Sequence, residues 1–345
     1  MNRLKLYAVL WGILLCATVS LAQVQYDSEN CTLVGRWAHG ACYAIHAVGD
    51  TVYFGDGGYL RMMDFSDTVN PIELGRMLTT STIMGIVVNG DNLCFVDNNR
   101  DLHVIDISDP TNPEETATVS FDGYSAGMAL KGDYLYLAIG WKGLYIFDIS
   151  DPADPIEQSL VPIDFPMRDM AVDGNYAYVV EYKNGLHIYD ISNPSEAAEV
   201  GSLLYGIKTN AVAVRGSYAY LAMRDGRMRI IDVSNPSDPT EIASFIGGSV
   251  GKDVALSGDY AYVTFSSNGL AIIDVSDPAH PVRKGRWDFE GGNAGLIAVD
   301  GDVAFVGIDG HGMTVLDVSD PASPIDAGMY AAGFSLGKNL RKVKW

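Results

Sequence analysis

Short apolar runs alternate with polar turns along most of the chain, and residues 168–203 show the pattern well. The four runs there are RDMAV (168–172), YAYVV (176–180), GLHIYDI (185–191) and AEVGSL (198–203). Gly, Pro, Asp and Asn separate them. None of the runs has the spacing of an amphipathic helix, and short runs rich in Val, Ile and Tyr between turn residues are typical of β-strands. The pattern predicts an all-β unit of four strands.

The four-strand unit repeats seven times. The third run of each unit ends in an Asp: Asp64, Asp106, Asp148, Asp190, Asp232, Asp274 and Asp317. Five intervals between these residues are 42 positions and one is 43. The second run is apolar at successive positions, so both faces of its sheet are expected to be buried. Such units are typical of propeller blades, whereas an open solenoid needs dissimilar capping repeats. We predict a seven-bladed β-propeller of four-stranded antiparallel blades, with about 42 residues per repeat.

Two segments compete for the fourth position of the last blade. Thr32–Trp37 resembles the fourth strands of other units, while Pro324–Tyr330 follows the last third strand directly. Closing the ring with the N-terminal segment would hide two sheet edges. One of the two segments is surplus, and the sequence leaves open which one completes the blade.

The unit from Ser257 to Val282, SGDYAYV…GLAIIDVSDPAHPV, resembles the LVIVD repeat of exported bacterial and archaeal proteins. The resemblance extends from about Cys31 to Tyr330, with Thr68 and Ala197 in place of turn prolines. It implies a secreted or cell-surface β-propeller. It implies no catalytic motif, so no functional residue is carried over from the family.

The N-terminus predicts a secretory signal peptide over residues 1–22. Arg3 and Lys5 precede an apolar run from Leu6 to Val19, and small residues precede a cleavage point after Ala22. We expect a single propeller domain over residues 23–330, then a basic tail or extra strand over 331–345. The expected location is secreted, periplasmic or cell surface, with no transmembrane segment after cleavage.

Charge restricts the kind of partner. The chain has 23 Lys and Arg against 43 Asp and Glu, a net charge of −20 at pH 7. Nucleic acids and anionic membranes would be repelled by this balance. The expected partner is an extracytoplasmic protein or glycan, or a small anionic ligand.

Cysteine spacing predicts free thiols. Cys31, Cys42 and Cys94 follow the signal peptide, and the strand between the first two is too long for a disulfide. Cys94 lies in a second strand, where a buried thiol is expected.

The recurring Asp and the histidines are interpreted as structural. An Asp before a turn accepts backbone N–H bonds, and Asp106, Ser108 and Asp109 offer too few oxygens for calcium. His103 and His187 occupy a third-strand position interpreted as partly exposed. The other units carry different residues there: Arg61, Tyr145, Arg229, Ala271 and Thr314. We predict no metal site and no cofactor.

The starts of the innermost strands offer the best binding candidates. Blades four, five and six begin with Arg168, Asn210 and Lys252, and Asp169 and Asp253 follow directly. Two cations and an amide at the channel mouth suit a carboxylate or phosphate. The alternative is that each cation neutralises an adjacent Asp and only holds the ring together.

Aromatic residues divide into two classes. Eight tyrosines recur in second strands and are expected to pack between blades: Tyr134, Tyr136, Tyr176, Tyr178, Tyr218, Tyr220, Tyr260 and Tyr262. Trp141 and Tyr182 break this register in loops of neighbouring blades, where they can stack on a ligand or partner.

These observations favour an exported, non-catalytic propeller that binds a protein, glycan or small anionic ligand at its top face. The alternative is a propeller enzyme, of hydrolase or lyase type, at the axial channel mouth. A third hypothesis is an adhesion protein in which the ring is a spacer. No nucleophile with a positioned base is visible, and fold alone does not decide among these functions.

Overall fold

The computed structural model describes residues 42–335, except positions 69, 164, 184, 205, 207, 290, 291, 309–311 and 332–333. The predicted signal peptide, Cys31, Thr32–Trp37 and the basic tail from Lys338 lie outside the described residues. The described chain contains two 3-10 helices, Pro194–Glu196 and Ser266–Asn268. No helix within this part of the chain has the length and apolarity needed to cross a membrane.

Strands fill almost all of the described chain, in seven sheets that follow the repeats. Blade one contains β1 (Ile45–Val48), β2 (Thr51–Asp56), β3 (Tyr59–Asp64) and β4 (Ile72–Leu78), and blade two contains β5 (Ile83–Asn89), β6 (Asn92–Asp97), β7 (Asp101–Asp106) and β8 (Glu114–Ser120). Blade three contains β9 (Ser125–Lys131), β10 (Tyr134–Ile139), β11 (Gly143–Asp148) and β12 (Ile156–Pro162), and blade four contains β13 (Met167–Asp173), β14 (Tyr176–Glu181), β15 (Gly185–Asp190) and β16 (Ala198–Leu204). Blade five contains β17 (Thr209–Arg215), β18 (Tyr218–Met223), β19 (Arg227–Asp232) and β20 (Thr240–Ile246), and blade six contains β21 (Gly251–Ser257), β22 (Tyr260–Phe265), β23 (Gly269–Asp274) and β24 (Val282–Trp287). Blade seven contains β25 (Ala294–Asp300), β26 (Val303–Ile308), β27 (Gly312–Asp317), β28 (Ile325–Ala331) and β29 (Phe334–Ser335).

The blades form a closed ring. The innermost strand of each blade contacts the innermost strand of the next, and β25 of blade seven contacts β1 of blade one. Strands within each blade are antiparallel and hydrogen-bonded in chain order. The predicted seven-bladed propeller is therefore confirmed. We call the face at which the innermost strands begin the top face.

Blade seven takes its fourth strand from its own repeat. Ile325–Ala331 pairs with Gly312–Asp317, and the short strand Phe334–Ser335 adds a fifth position. The sequence left the choice open between Pro324–Tyr330 and Thr32–Trp37. Within the described residues, the C-terminal segment occupies the fourth position.

The hydrophobic core consists of seven clusters, each lying between two successive blades. The cluster between blades five and six includes Tyr220, Met228 and Phe265, and the one that closes the ring joins Phe305 of blade seven to Phe54 of blade one. Four tyrosines are almost fully buried in second strands: Tyr136, Tyr178, Tyr220 and Tyr262. The packing role predicted for them is confirmed, and it explains why second strands are apolar on both faces.

The recurring Asp stabilises the turn after the third strand. In all seven blades its carboxylate accepts the backbone N–H of the Ser two residues later, at 2.7–3.0 Å. Bonds from Ser108 lower the pKa of Asp106, and the other six carboxylates are shifted in the same direction. This bond is the Asx-type turn contact expected from the sequence.

Candidate functional site

Three predicted binding residues occupy one matching position at the top face. Arg168, Asn210 and Lys252 are each the second residue of an innermost strand, in blades four, five and six. Arg168 is exposed, whereas Asn210 and Lys252 are half-buried. The Asn210 amide donates to the carbonyl of Gly251 at 2.6 Å, so it links two blades.

The Arg168 guanidinium contacts the ring of Tyr182, which the sequence had singled out separately. Its central carbon lies 4.8 Å from the ring centroid, and the ammonium of Lys208 lies 4.1 Å from the same centroid. Lys208 Nζ also donates to the Tyr182 hydroxyl. This hydrogen bond lowers the pKa of Tyr182, and the charges of Lys208, Arg224 and Arg168 add to the effect. We call Arg168, Tyr182, Lys208 and Arg224 the Tyr182 cluster.

Backbone contacts hold the loops that carry this cluster. Tyr182 follows β14 and donates its N–H to the carbonyl of Pro166, just before β13. Arg224 follows β18 and donates its N–H to the carbonyl of Lys208, just before β17. Each cluster residue is therefore fixed beside the start of an innermost strand.

The cations of the Tyr182 cluster have no carboxylate partner among the described residues. The ion pairs of the described residues involve other cations. Arg100 and Lys142 pair with Asp122, for example, and Arg286 pairs with Asp288. Lys252 is also absent from them. Aromatic rings attract cations without neutralising them, so these charges remain available to an anion.

Asp169 and Asp253 bond to backbone rather than to the adjacent cations. Asp169 Oδ2 accepts the N–H of Val212 in blade five at 2.9 Å, and Asp253 Oδ2 accepts that of Ile297 in blade seven at 2.9 Å. The proposed pairing of Arg168 with Asp169, and of Lys252 with Asp253, does not occur among the described ion pairs. Both carboxylates instead join neighbouring innermost strands.

Burial changes the acidity of these two carboxylates. It raises the pKa of Asp169 well above its usual range, and the charge of Asp253 raises it further. Burial also raises the pKa of Asp253 to about 6, against hydrogen bonds from Ile297 and Val254 that act to lower it. The pKa of both carboxyls is therefore raised in the folded protein.

Blades three and four carry three exposed aromatic side chains in loops at the top face. Trp141 lies between β10 and β11 with 70% of its surface exposed, and Tyr124 and Phe165 are also exposed. The Arg100 guanidinium lies 4.6 Å from the ring centroid of Tyr124. Trp141 thus lies in a top-face loop. Tyr124 and Phe165 precede innermost strands, at positions without a repeated register, so the sequence did not predict them.

The histidine position is buried, contrary to the prediction of partial exposure. His103 and His187 are 5% and 7% exposed. The ring of His187 lies between two carboxylates, with Nε2 3.4 Å from Glu181 Oε1 and Nδ1 3.0 Å from Glu199 Oε1. Burial acts to lower the pKa of His187, but Glu181 and Glu199 outweigh it and raise the pKa. These side chains line a cavity of about 220 Å³ whose wall includes Phe165.

A Glu that repeats in the outermost strands pairs with the buried histidines, and the sequence did not predict this pairing. Outermost strands of the first five blades carry Glu at intervals of 42 positions: Glu73, Glu115, Glu157, Glu199 and Glu241. Arg61 and Arg229, which replace histidine in blades one and five, bond to Glu73 and Glu241. Across the first five blades the third-strand position varies, whereas the outermost strand keeps its Glu.

The described cysteines are free thiols, as predicted. Cys94 is fully buried and Cys42 is half-buried. Burial raises the pKa of both thiols to about 12, so neither is a reactive thiolate.

Solved structures with a similar fold differ widely in sequence. A functionally unknown protein from Desulfotomaculum acetoxidans is 14% identical with a TM-score of 0.67, over 80% of this chain and 93% of that chain. The computationally designed Ika8 protein is 12% identical with a TM-score of 0.64, over 85% of this chain and 89% of that chain. Both similarities concern the fold alone.

No curated protein matches the chain in sequence. The family model of the LVIVD repeat matches seven times, once in each blade. The matched residues are 39–79, 82–120, 122–161, 167–204, 207–246, 247–288 and 291–332. Because these matches span most of the sequence, the chain belongs to the LVIVD-repeat family.

Proposed function

We propose that the protein is an exported, non-catalytic binding module whose top face takes an acidic glycan. The observation that carries the proposal is the Tyr182 cluster, in which Arg168 and Lys208 contact one ring and have no carboxylate partner among the described residues. The cluster places two cations against one ring in a chain whose net charge is −20.

The chemistry of the cluster favours an anionic group with several oxygens. A guanidinium donates two parallel hydrogen bonds to a carboxylate, phosphate or sulfate, and an ammonium adds a point charge. Lys208 is held against Tyr182, so less side-chain entropy is lost when an anion binds.

Exposed aromatics extend the same face and favour a glycan over a small free anion. Trp141, Tyr124 and Phe165 present apolar rings to solvent in blades three and four. Aromatic faces stack on the apolar faces of sugar rings, while the cations bind acidic substituents. A protein partner with an acidic loop would use the same contacts, and the experiment below separates the two.

Export rests on the composition of residues 1–22, which have basic, apolar and small-residue segments in the order of a signal peptide. A secreted, periplasmic or cell-surface location would bring the top face to extracytoplasmic glycans. The enzyme hypothesis gains no comparable support, since Asn210, Asp169 and Asp253 bond to backbone and Arg168 contacts Tyr182.

The test is glycan binding by matched charge variants. The purified protein would be titrated calorimetrically with heparin-derived and polygalacturonate oligosaccharides, which carry sulfates and carboxylates respectively. We expect Lys208→Ala and Arg168→Ala to weaken binding about tenfold each, because each removes a charged hydrogen-bond donor worth roughly 1.5 kcal/mol.

Lys131→Ala is the control for net charge. Lys131 ends β9 at the opposite face and donates to Asn175 Oδ1, so its loss changes the net charge equally. Equal weakening by Lys131→Ala and Lys208→Ala would contradict a site at the Tyr182 cluster. Absence of glycan binding combined with binding of an acidic peptide, lost in Lys208→Ala, would replace the glycan by a protein partner.

A further inference from the structure

Four blades share an arrangement in which a basic side chain of the third strand lies between two acids. One acid lies at or just after the top end of the second strand, and the other is the second residue of the outermost strand. The sets are Asp56–Arg61–Glu73, Asp97–His103–Glu115, Glu181–His187–Glu199 and Asp225–Arg229–Glu241. Only blades two and four carry histidine, whose neutral ring can bind a metal ion.

Blade two adds a third acid that blade four lacks. Asp101 begins β7, whereas Gly185 stands at the same position of β15. One ligand atom each of Asp97, Asp101 and His103 lies within 4.8 Å of the other two. Two carboxylates and one imidazole form a ligand set suited to zinc and related divalent ions.

The His103 ring leaves one nitrogen without a hydrogen bond. His103 is 5% exposed, and its buried Nε2 has no hydrogen-bond partner among the described residues. The nearest acidic oxygen, Asp97 Oδ2, lies 3.7 Å away, too far for a hydrogen bond. Two ligands of a tetrahedral zinc ion are separated by about 3.4 Å when each bond is about 2.1 Å. The separation between Nε2 and Oδ2 is therefore close to that of two metal ligands.

Each side chain is oriented by a further contact, as ligands of protein metal sites usually are. His103 Nδ1 lies 3.0 Å from Glu115 Oε1, and the Phe95 ring stacks on the imidazole with centroids 4.4 Å apart. The Ser120 hydroxyl donates to Asp101 Oδ1 at 2.6 Å.

Asp97 is held most firmly of the three. Its Oδ1 accepts the backbone N–H groups of Asn99 and Asp101 at 2.9 and 3.1 Å, and its Oδ2 accepts the Thr80 hydroxyl at 3.1 Å. Asp97 is only 2% exposed, but the second lone pair of its Oδ2 remains free to bind an ion.

We propose that the top of blade two binds one divalent transition-metal ion through His103 Nε2 and one oxygen each of Asp97 and Asp101. Asp101 is half-buried, so its side of the site gives the ion a path to solvent. Three protein ligands and one open position are typical of zinc sites that take water or a ligand group. Calcium is disfavoured because it prefers six to eight oxygen ligands. This proposal departs from the prediction of no metal site made from the sequence.

The experiment is metal titration of the chelator-treated protein with Zn²⁺, paired with elemental analysis of the bound ion. We expect one Zn²⁺ per chain, weaker Mn²⁺ binding and no Ca²⁺ binding in the same range. Asp101→Asn and His103→Gln should each weaken Zn²⁺ binding by roughly 100-fold or more, because each removes a direct ligand. Cobalt substituted for zinc should give a visible spectrum that both variants lose.

His187→Gln is the matched control, because it changes the same position of blade four, where Gly185 replaces the third acid. Zinc binding should persist in this variant. If His103→Gln fails to fold by circular dichroism, Asp101→Asn still tests the site, since Asp101 is half-buried at a strand start. Zinc binding absent from the parent, retained in Asp101→Asn, or lost equally in His187→Gln would overturn the proposal.

Discussion

Asp169 and Asp253 carry carboxylates at a position where blades three and five have Gly127 and Ala211. A Cβ on Gly127 would lie 2.9 Å from Asp169 Oδ1, so the small residue makes room for the acid of the next blade. Each acid replaces apolar packing with a hydrogen bond to a neighbouring strand. A carboxylate in such a position is stabilised by backbone N–H groups and destabilised by loss of water.

This balance predicts how stability depends on pH. Burial raises the pKa of Asp253 to about 6 in the folded protein, against 3.8 as its ordinary value. The folded state therefore binds more protons than the unfolded state between these two values, and this acid's contribution to stability falls as pH rises through that window. Asp253→Asn keeps an oxygen that accepts from Ile297 and removes the titration. We expect its melting temperature to exceed that of the parent at pH 7.5 and the two to converge toward pH 4.

Melting curves at half-unit pH steps check this expectation. Asp232→Asn is the control, because Asp232 is a turn residue whose pKa is lowered by Ser234. The stability that the Asp232 carboxylate contributes is lost only as pH falls below 3.8, the ordinary pKa of Asp. Asp232→Asn should therefore not change how the melting temperature varies between pH 4 and 7. Parallel profiles for the parent and Asp253→Asn would contradict the argument.

At the scale of elements, the outermost strands of five blades (one, two, three, four and six) contact the turn of the next blade. A Cβ on Gly201 in β16 would lie 2.1 Å from the carbonyl oxygen of Pro236, which belongs to the turn of blade five. Gly75 and Gly285 approach Pro110 and Pro321 in the same way. The close approach of these outermost strands therefore fixes the position of the turn in the following blade.

Gly201→Ala should destabilise the protein by about 1–3 kcal/mol, because the added methyl group must displace a backbone carbonyl. Chemical denaturation measures the change in unfolding free energy. Gly58→Ala is the control, since no atom lies within 4 Å of the corresponding Cβ and the backbone there is not left-handed. A loss at position 58 as large as that at position 201 would show that contact with Pro236 is not the cause.

The sequence predicted the strands well because each strand has six equivalents at regular intervals, and their shared pattern defines its bounds. In blade four, the run predicted at residues 168–172 is the strand Met167–Asp173. The Tyr182 cluster was only half found, because Lys208 and Arg224 lie in loops without a repeated register. The burial of His187 could not be predicted from the third strand alone, because that position varies and its partner Glu199 lies in the outermost strand.

At the scale of the whole molecule, the blades are stabilised by what lies between them. Each of the seven apolar clusters draws side chains from two blades. Phe65 of blade one meets Phe305 of blade seven edge to face, with ring centroids 5.0 Å apart. The contact that closes the ring is therefore of the same kind as the other six.

Phe305→Ala should cost about 3–5 kcal/mol, because it leaves a cavity at the ring closure. Hydrogen exchange should accelerate in the innermost strands of blades seven and one, β25 and β1, more than in β13 of blade four. Phe245→Ala is the control, as Phe245 is only partly buried between blades five and six. Equal free-energy losses and uniform exchange in both variants would show that the closure has no separate effect.

The sharing of every apolar cluster between blades has a consequence for biosynthesis. As the chain emerges, each repeat gains a covered flank only when its successor has been made. Blade one is the exception, because its other flank is covered by Phe305 and its neighbours from the last repeat. That flank therefore stays exposed to solvent throughout translation. The contact that closes the ring has the longest sequence separation, and such contacts form most slowly. We therefore expect the described apolar side chains on that flank of blade one to stay exposed until the last repeat is made.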